Sequence, residues 1–589
     1  MEEKIYAILS SREKRKKVIR YILGALMLSI LMIPTKLVLA KMLPGKSANT
    51  FSIYVDTATN SSLKQTKDVT DCIASYLRDE KEVENIEIFL GQGAPLDYAG
   101  LVKGSSFKRM KNQAEIVVNL TDKNTRDEPS YMMVHRIRPE IQNECADQAP
   151  KTTIKFIEMP SGPPTLATIV IELFGTNYEM LRDVSMRIGE TLKETEGLVD
   201  VDVMQDDIYD FYSIVPDTEK VLRSGLNVEQ VNNILYMAFQ GMVIAAKNSK
   251  IQQDQIPIFL RLDKTSRKIT PKSKEGIELK LARLKLMNKN GMLIPVKEVV
   301  NIQKTKSNPT RFRKDLKDFA MITAECDMVS QVYPLLDARE MLIKRLSKDF
   351  NVTKVPGMST YMFDLNLVNK KTGEKMLLRW DGEMKVSLDT FRDLGGAFIA
   401  ALILMFLLMV VYYKSFALSG IVLAASFLSI IGVIVGHFIT NIITLVFNGT
   451  NFFLTATSLI GFISLMGISA RSSLLLIDFS KALIAKGIEK KRAISIATAT
   501  RAKPILMTAV AIILGSLLLS TDPIFGGLGI ALIFGSIGST VVSLYLVPIM
   551  INATDAVCPL GVNNQPIHCK GGLDQHIDPK DLPDELNLP

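Results

Sequence analysis

At 589 residues the chain has room for about four domain-sized units. Its mean hydropathy of +0.19, with 47% hydrophobic residues, is high for a soluble protein, and its 22% charged residues are high for one wholly in lipid. An α+β membrane protein with a large aqueous region fits both figures. The net charge of +9 would suit a nucleic-acid partner, but many basic residues lie beside apolar runs, which positive-inside topology explains more simply.

Residues 1–17 end in Arg12-Glu-Lys-Arg-Lys-Lys17, a basic flank that predicts a cytoplasmic N-terminus. The apolar run 18–40 follows. Its end, Val38-Leu-Ala40, has the look of a cleavage site, yet the run is long for a signal peptide, so a retained transmembrane helix 1 is expected. From Lys41 to Arg392 no run is long enough to span a bilayer, and strand and helix patterns alternate instead. Residues 41–160 read as a first unit. Strands are expected at Phe51–Val55, Ile86–Leu90, Ile116–Leu120 and Thr153–Ile157, with helices near Leu63–Leu77 and Tyr131–Ile141.

After Pro160-Ser-Gly-Pro-Pro164 the pattern restarts as a second unit, 161–206 and 309–392. It has a strand at Ile169–Leu173, a helix stripe Leu181, Val184, Ile188 and Leu192, and alternation at Val199, Val201 and Val203. It closes with Ala320–Ala324, a helix near Val332–Leu346 and a strand at Val352–Val355. Residues 207–308 are an insertion between the halves. Each unit reads as a split βαβ, ferredoxin-like sandwich. Cys72, Cys145 and Cys326 fall in this region, and the odd number leaves at least one thiol unpaired within the chain.

Transmembrane helices 2–6 are expected within 393–550, at about 394–413, 416–437, 453–477, 504–520 and 525–550. Six spans put both termini in the cytoplasm. The basic loop holding Lys481, Lys486, Lys490, Lys491, Arg492, Arg501 and Lys503 falls on the same side. In the last span Gly527, Ala531, Gly535 and Ser539 are spaced four apart, as in close helix packing. The tail 551–589 is polar. Its Cys558, His568, Cys569 and His576 match no zinc pattern, so no metal and no cofactor is expected.

One span carries a charge. Arg471 lies well inside the apolar run Leu459–Asp478, where an arginine costs roughly 2.5 to 3.5 kcal/mol on insertion scales and normally has a protein partner. It is two turns from Asp478, so snorkelling to the interface or pairing with that aspartate is the plain alternative. Ser464, Gly467, Arg471 and Asp478 share one helix face, small and polar. In the next span Pro504 suits the first turn and Thr508 lies one turn inside, at the depth of Arg471. Arg471, Thr508 and Asp478 are therefore candidates for a proton relay. Arginine stays protonated, so Arg471 can bias a carboxylate but cannot carry the proton.

The runs Gly467-Ile-Ser-Ala-Arg471-Ser-Ser-Leu-Leu-Leu-Ile-Asp478 and Arg501-Ala-Lys-Pro-Ile-Leu-Met-Thr508 resemble a helix pair in the second half of resistance-nodulation-division (RND) efflux permeases. Trp380-Asp-Gly-Glu383 also resembles a signature of that family. There a lysine usually stands at the position of Arg471, and with the threonine matched by Thr508 it engages two aspartates in the first half of the full-length permease. The resemblance implies porter subdomains flanking a periplasmic substrate path, an inserted docking subdomain, and a trimer working with a periplasmic adaptor protein and an outer-membrane channel. It implies a proton antiporter of the bacterial inner membrane, exporting small molecules. This chain then reads as the C-terminal half-subunit, paired with a separate N-terminal half-permease that carries the acidic pair. A self-associating, protein-export-like subunit and a non-transporting scaffold stay open. No phosphate-binding loop, nucleophile elbow or HExxH helix is present, so no enzyme is expected. Methionines are scattered, with Met358 and Met362 the one close periplasmic pair, which speaks against soft-metal export.

Overall fold

The computed structural model describes residues 1–159, 162–356 and 363–558. Pro160, Met358, Met362, His568, Cys569 and His576 lie outside the described residues.

The chain opens with α1 (Glu2–Ser10) and α2 (Arg12–Leu31). Ile5 and Leu9 bury into the helical bundle, and Glu2 pairs with Arg492 at 2.9 Å. The expected run to Ala40 stops nine residues early. Pro34 offers no amide, and the turn closes with Leu37 and Val38 N–H groups both donating to the Met32 carbonyl at 3.0 Å.

The first α+β subdomain comprises β1 (Thr50–Asp56), α3 (Leu63–Arg78), β2 (Val83–Leu90), α4 (Tyr98–Lys103), β3 (Gln113–Leu120), α5 (Ser130–Cys145) and β4 (Thr153–Ile157). The strands are antiparallel in the order β2-β3-β1-β4. Ser62 and Gln65 form a capping box at the start of α3. The stripes Val69, Ile73, Leu77 and Val134, Ile137, Ile141 close over Ile53, Val55 and Ile116. A Cys72–Cys145 disulfide ties α3 to α5, and Cys326 is left as a free thiol.

The second subdomain begins with β5 (Ile169–Phe174), α6 (Tyr178–Lys193) and β6 (Leu198–Met204). Residues Asp206–Thr310 then form a compact unit of their own. It holds β7 (Asp210–Pro216), α7 (Thr218–Arg223), α8 (Val228–Leu235), β8 (Met242–Lys247), β9 (Ile256–Leu260), α9 (Lys264–Arg267), α10 (Lys274–Arg283), β10 (Lys285–Met287), β11 (Leu293–Pro295) and β12 (Val300–Lys306). Within it β7 pairs with β12 along its whole length, so the unit begins and ends side by side. Val221, Val231, Leu281, Val296 and Val299 form its core.

The second subdomain resumes with β13 (Phe312–Lys314), β14 (Lys317–Cys326), α11 (Val332–Leu346), β15 (Phe350–Lys354), β16 (Leu365–Asn369) and β17 (Lys375–Asp381). Its sheet runs β13-β14-β5-β17-β16-β15, with β6 also on β14. The expected strand at Val352–Val355 therefore does not flank β5. The hairpin of β16 and β17 takes that place, because alternate residues Met376, Leu378 and Trp380 of β17 supply the buried face that β5 needs.

The helical region comprises α12 (Glu383–Tyr413), α13 (Phe416–Leu428), α14 (Ile430–Asn448), α15 (Ala456–Ala485), α16 (Lys490–Leu517), α17 (Gly526–Val541) and α18 (Val547–Ala553). Among the described residues, five stretches are long and apolar enough to cross a membrane: Glu383–Tyr413, Phe416–Asn448, Ala456–Ala485, Lys490–Thr521 and Gly526–Ala553. The second runs on past the expected end at 437 and stops where Gly449 turns left-handed. The fourth starts at Lys490, so Pro504 sits inside it and not in its first turn. The buried run Ala493, Ile494, Ile496 and Ala497 extends the helix through what reads as a basic loop.

Candidate functional site

Ser464, Gly467 and Arg471 lie along an exposed strip of α15, and a Cβ on Gly467 would meet nothing within 4 Å. The other side of the same helix is packed, with Leu465, Met466, Ser469, Ala470 and Ser473 buried. Among the described residues Arg471 has no hydrogen bond or ion pair. It does not meet Asp478, whose Oδ2 accepts from the Tyr412 hydroxyl of α12 at 3.3 Å. Nor is it joined to Thr508, which donates to its own helix at the Pro504 carbonyl, 2.6 Å away. The three candidate relay residues are thus not assembled within this chain. A charged side chain and an open, small-residue strip stand on an otherwise packed helix.

The small-residue row of α17 faces inward. Gly527 abuts Thr455 and Ser458, Ala531 abuts Gly461, and Gly535 abuts Leu465 and Val433, while Ser539 is buried. On a further face α17 meets Gly432 and Gly436 of α14, where any Cβ would come under 3 Å from Phe534. Beside this contact lies His437, fully buried and not anticipated from sequence. The Val433 carbonyl, 2.8 Å from Nδ1, can only accept, so Nδ1 carries the hydrogen and Nε2 meets the Ser458 hydroxyl at 2.8 Å.

Outside the helices, a cavity of about 130 Å³ lies where the two α+β subdomains and the start of α12 converge. Lys41, Lys103 and Arg138 share its wall with Glu158, Glu325 and Glu383. Lys103 pairs with Glu325 at 2.7 Å, and Thr168 donates to the same carboxylate from its amide and hydroxyl. These contacts hold Glu325 below the usual range even though burial acts to raise it. Burial raises the Cys326 thiol, which keeps it protonated and unreactive. Among the described residues no group of three or more His, Cys, Asp or Glu side chains is arranged to hold a metal ion.

The model of the AcrB/AcrD/AcrF family matches residues 4–554. The chain belongs to this family, the RND permeases. Its relatives include the swarming motility protein SwrC of Bacillus subtilis (strain 168), 23% identical over 91% of this chain and 45% of SwrC. Multidrug resistance protein MdtC of Photorhabdus laumondii is 22% identical over 74% of this chain and 39% of MdtC. The chain spans about half the length of the curated relatives it matches. A crystal structure of a heavy metal efflux pump superposes with a TM-score of 0.69 at 18% identity, over 94% of this chain and 51% of the pump. That likeness places an RND fold over nearly all of this chain. Within the RND-family chain, sequence reasoning located Arg471 but missed His437 and the carboxylates around the cavity. A histidine inside the run Val433–Phe438 was the available signal for the first; acids on aqueous strands give none.

Proposed function

We propose that this chain is the C-terminal half-subunit of a proton-driven RND-type efflux transporter that exports small amphiphilic compounds from the periplasm or inner membrane. The observation that carries the reading is the open strip of Ser464, Gly467 and Arg471. An unpaired arginine at membrane depth calls for a carboxylate, and this strip leaves room for a helix to bring one. A separate N-terminal half with an acidic pair supplies that helix, and Arg471 with Thr508 then biases the pair's protonation, while Asp478 marks the interfacial end of the relay. In this reading α2 is the first of six spans and both termini are cytoplasmic. The ferredoxin-like subdomains are periplasmic porters, and residues 206–310 are the docking unit of a trimer of such pairs that meets the adaptor and outer-membrane channel. The work is secondary antiport and not enzymatic turnover.

Affinity purification of the tagged chain from membranes, with mass spectrometry of its companions, tests this. Recovery of a second multi-span protein with paired membrane aspartates is the expected result. A stable oligomer of this chain alone overturns the half-subunit reading.

A further inference from the structure

Arg12-Glu-Lys-Arg-Lys-Lys17 and Arg20 put six cations and one acid into the opening turns of α2. Among the described residues, no ion pair or side-chain hydrogen bond ties any of the six to the rest of the chain. Lys17 rests only over the ring of Tyr21, one turn on in the same helix, 5.8 Å from its centroid. Cations at the same end of the bundle behave differently. Arg492 pairs with Glu2 and Lys490 with Asp555, each at 2.9 Å.

The block has a direction. Val18, Ile19, Ile22 and Leu26 turn one face of α2 onto the core of the helical bundle. Arg12, Lys16, Arg20, Leu23, Met27 and Leu31 follow one another at three- and four-residue steps along an outer face, and all six are exposed. This outer line is cationic over its first half and apolar over its second. No polar residue interrupts it after Arg20.

Arg20 marks the change. It stands inside apolar sequence, between Ile19 and Tyr21, exposed and unpaired. From Arg20 to Leu31 the helix rises about 16 Å, half the ~30 Å hydrocarbon thickness of a bilayer and so about the depth of one leaflet. An arginine at the edge of that layer extends its stem toward the headgroups and takes an anion there. The anions at that level are lipid phosphates. A zwitterionic headgroup would bring its ammonium into a field of six cations relieved only by Glu13. A headgroup with a phosphate and no cation meets no such opposition, and the forks of Arg12 and Arg20 match phosphate oxygens two at a time.

We propose that the outer line of α2 is a binding site for an anionic phospholipid, its headgroup held by Arg12, Lys16 and Arg20 and an acyl chain laid along Leu23, Met27 and Leu31. The inference rests on the proposed function only in taking α2 as a span. It requires neither transport nor a partner half.

The test is native mass spectrometry of the purified full chain in detergent, titrated with phosphatidylglycerol or phosphatidylcholine of matched acyl chains. Phosphatidylglycerol should bind at the lower concentration. Arg12→Gln, Lys16→Gln and Arg20→Gln together should weaken it about 100-fold, at about 5-fold per cation, and leave phosphatidylcholine unchanged. A control chain with Lys486→Gln, Lys491→Gln and Lys503→Gln should keep the preference. Equal binding of the two lipids, or equal loss from both triple variants, overturns the site. If the first variant fails to insert, wild-type sequence with a fluorescent unnatural residue at exposed Leu28 decides instead, in vesicles holding brominated lipid. Stronger quenching by brominated phosphatidylglycerol than by brominated phosphatidylcholine is expected, and equal quenching overturns the proposal. A preference that disappears once a partner half is bound assigns the line to that protein and also overturns it. None of these results bears on the co-purification that tests the half-subunit reading.

Discussion

Arg471 is exposed and unpaired, so removing it takes away no contact that holds the chain together. Its replacement therefore separates function from folding. Arg471→Ala is expected to abolish proton-driven dye efflux in cells that also make the partner half, while unfolding of the purified chain shifts by no more than about 0.5 kcal/mol, the range for surface changes. Arg471→Lys keeps the cation and should retain much of the efflux. Equal loss from both variants would assign Arg471 a role beyond its charge. At this scale the sequence was informative only where a residue contradicted its surroundings: an arginine amid leucines stands out, and so does its helix face. Asp200 on β6, its side chain 1% exposed, contradicts nothing in sequence, because an acid on a strand of an aqueous domain is ordinary. Its burial comes from a strand brought against it by the other subdomain.

Elements whose own residues carry both the stripe and the stop signal were the legible ones. The stripes of α3 and α6, the alternation of β1 and the apolar run of β5 fixed those elements to within a few residues. The start of α16 was misread because its first turns are buried by α1, a contact distant in sequence. The small-residue row on α17 was visible, but the α14 glycines that α17 meets on its further face, through Phe534, were not. Gly432 faces the Phe534 backbone carbonyl, which cannot rotate away as a side chain can. Gly432→Ala should accordingly force α14 and α17 apart and cost about 1 to 3 kcal/mol, the usual penalty of overpacking, read from thermal unfolding in detergent. Ala at exposed Gly467, where a Cβ meets nothing, should change little. The disulfide makes a second prediction for an element pair. Cys72→Ser frees a loop of 73 residues between α3 and α5 and should lower stability by about 2 to 4 kcal/mol, with no loss under reducing conditions where the parent is already open.

For the whole molecule, the order of units could be read because each change of periodicity marks a change of architecture: half-buried strands, then span-length apolar helices. What could not be read was how strands pair across long sequence gaps, since β17 reaches β5 from about 200 residues away and nothing local encodes that choice. The unit Asp206–Thr310 is the cleanest test of the organisation. It has its own core, and β7 and β12 bring its two ends together, with the Thr310 amide donating to Asp206 at 3.0 Å. Replacing residues 209–307 by a short glycine-serine link therefore spans a gap the fold already keeps small. The shortened chain should insert into membranes and unfold within a few degrees of the parent, because neither subdomain core includes a residue of the deleted unit. If that unit builds the trimer, as proposed, the same chain should sediment as a smaller species and lose efflux. An unchanged oligomer would move the assembly contacts to the remaining subdomains and the helices, and collapse of the truncated chain would show that the unit supports the fold it interrupts.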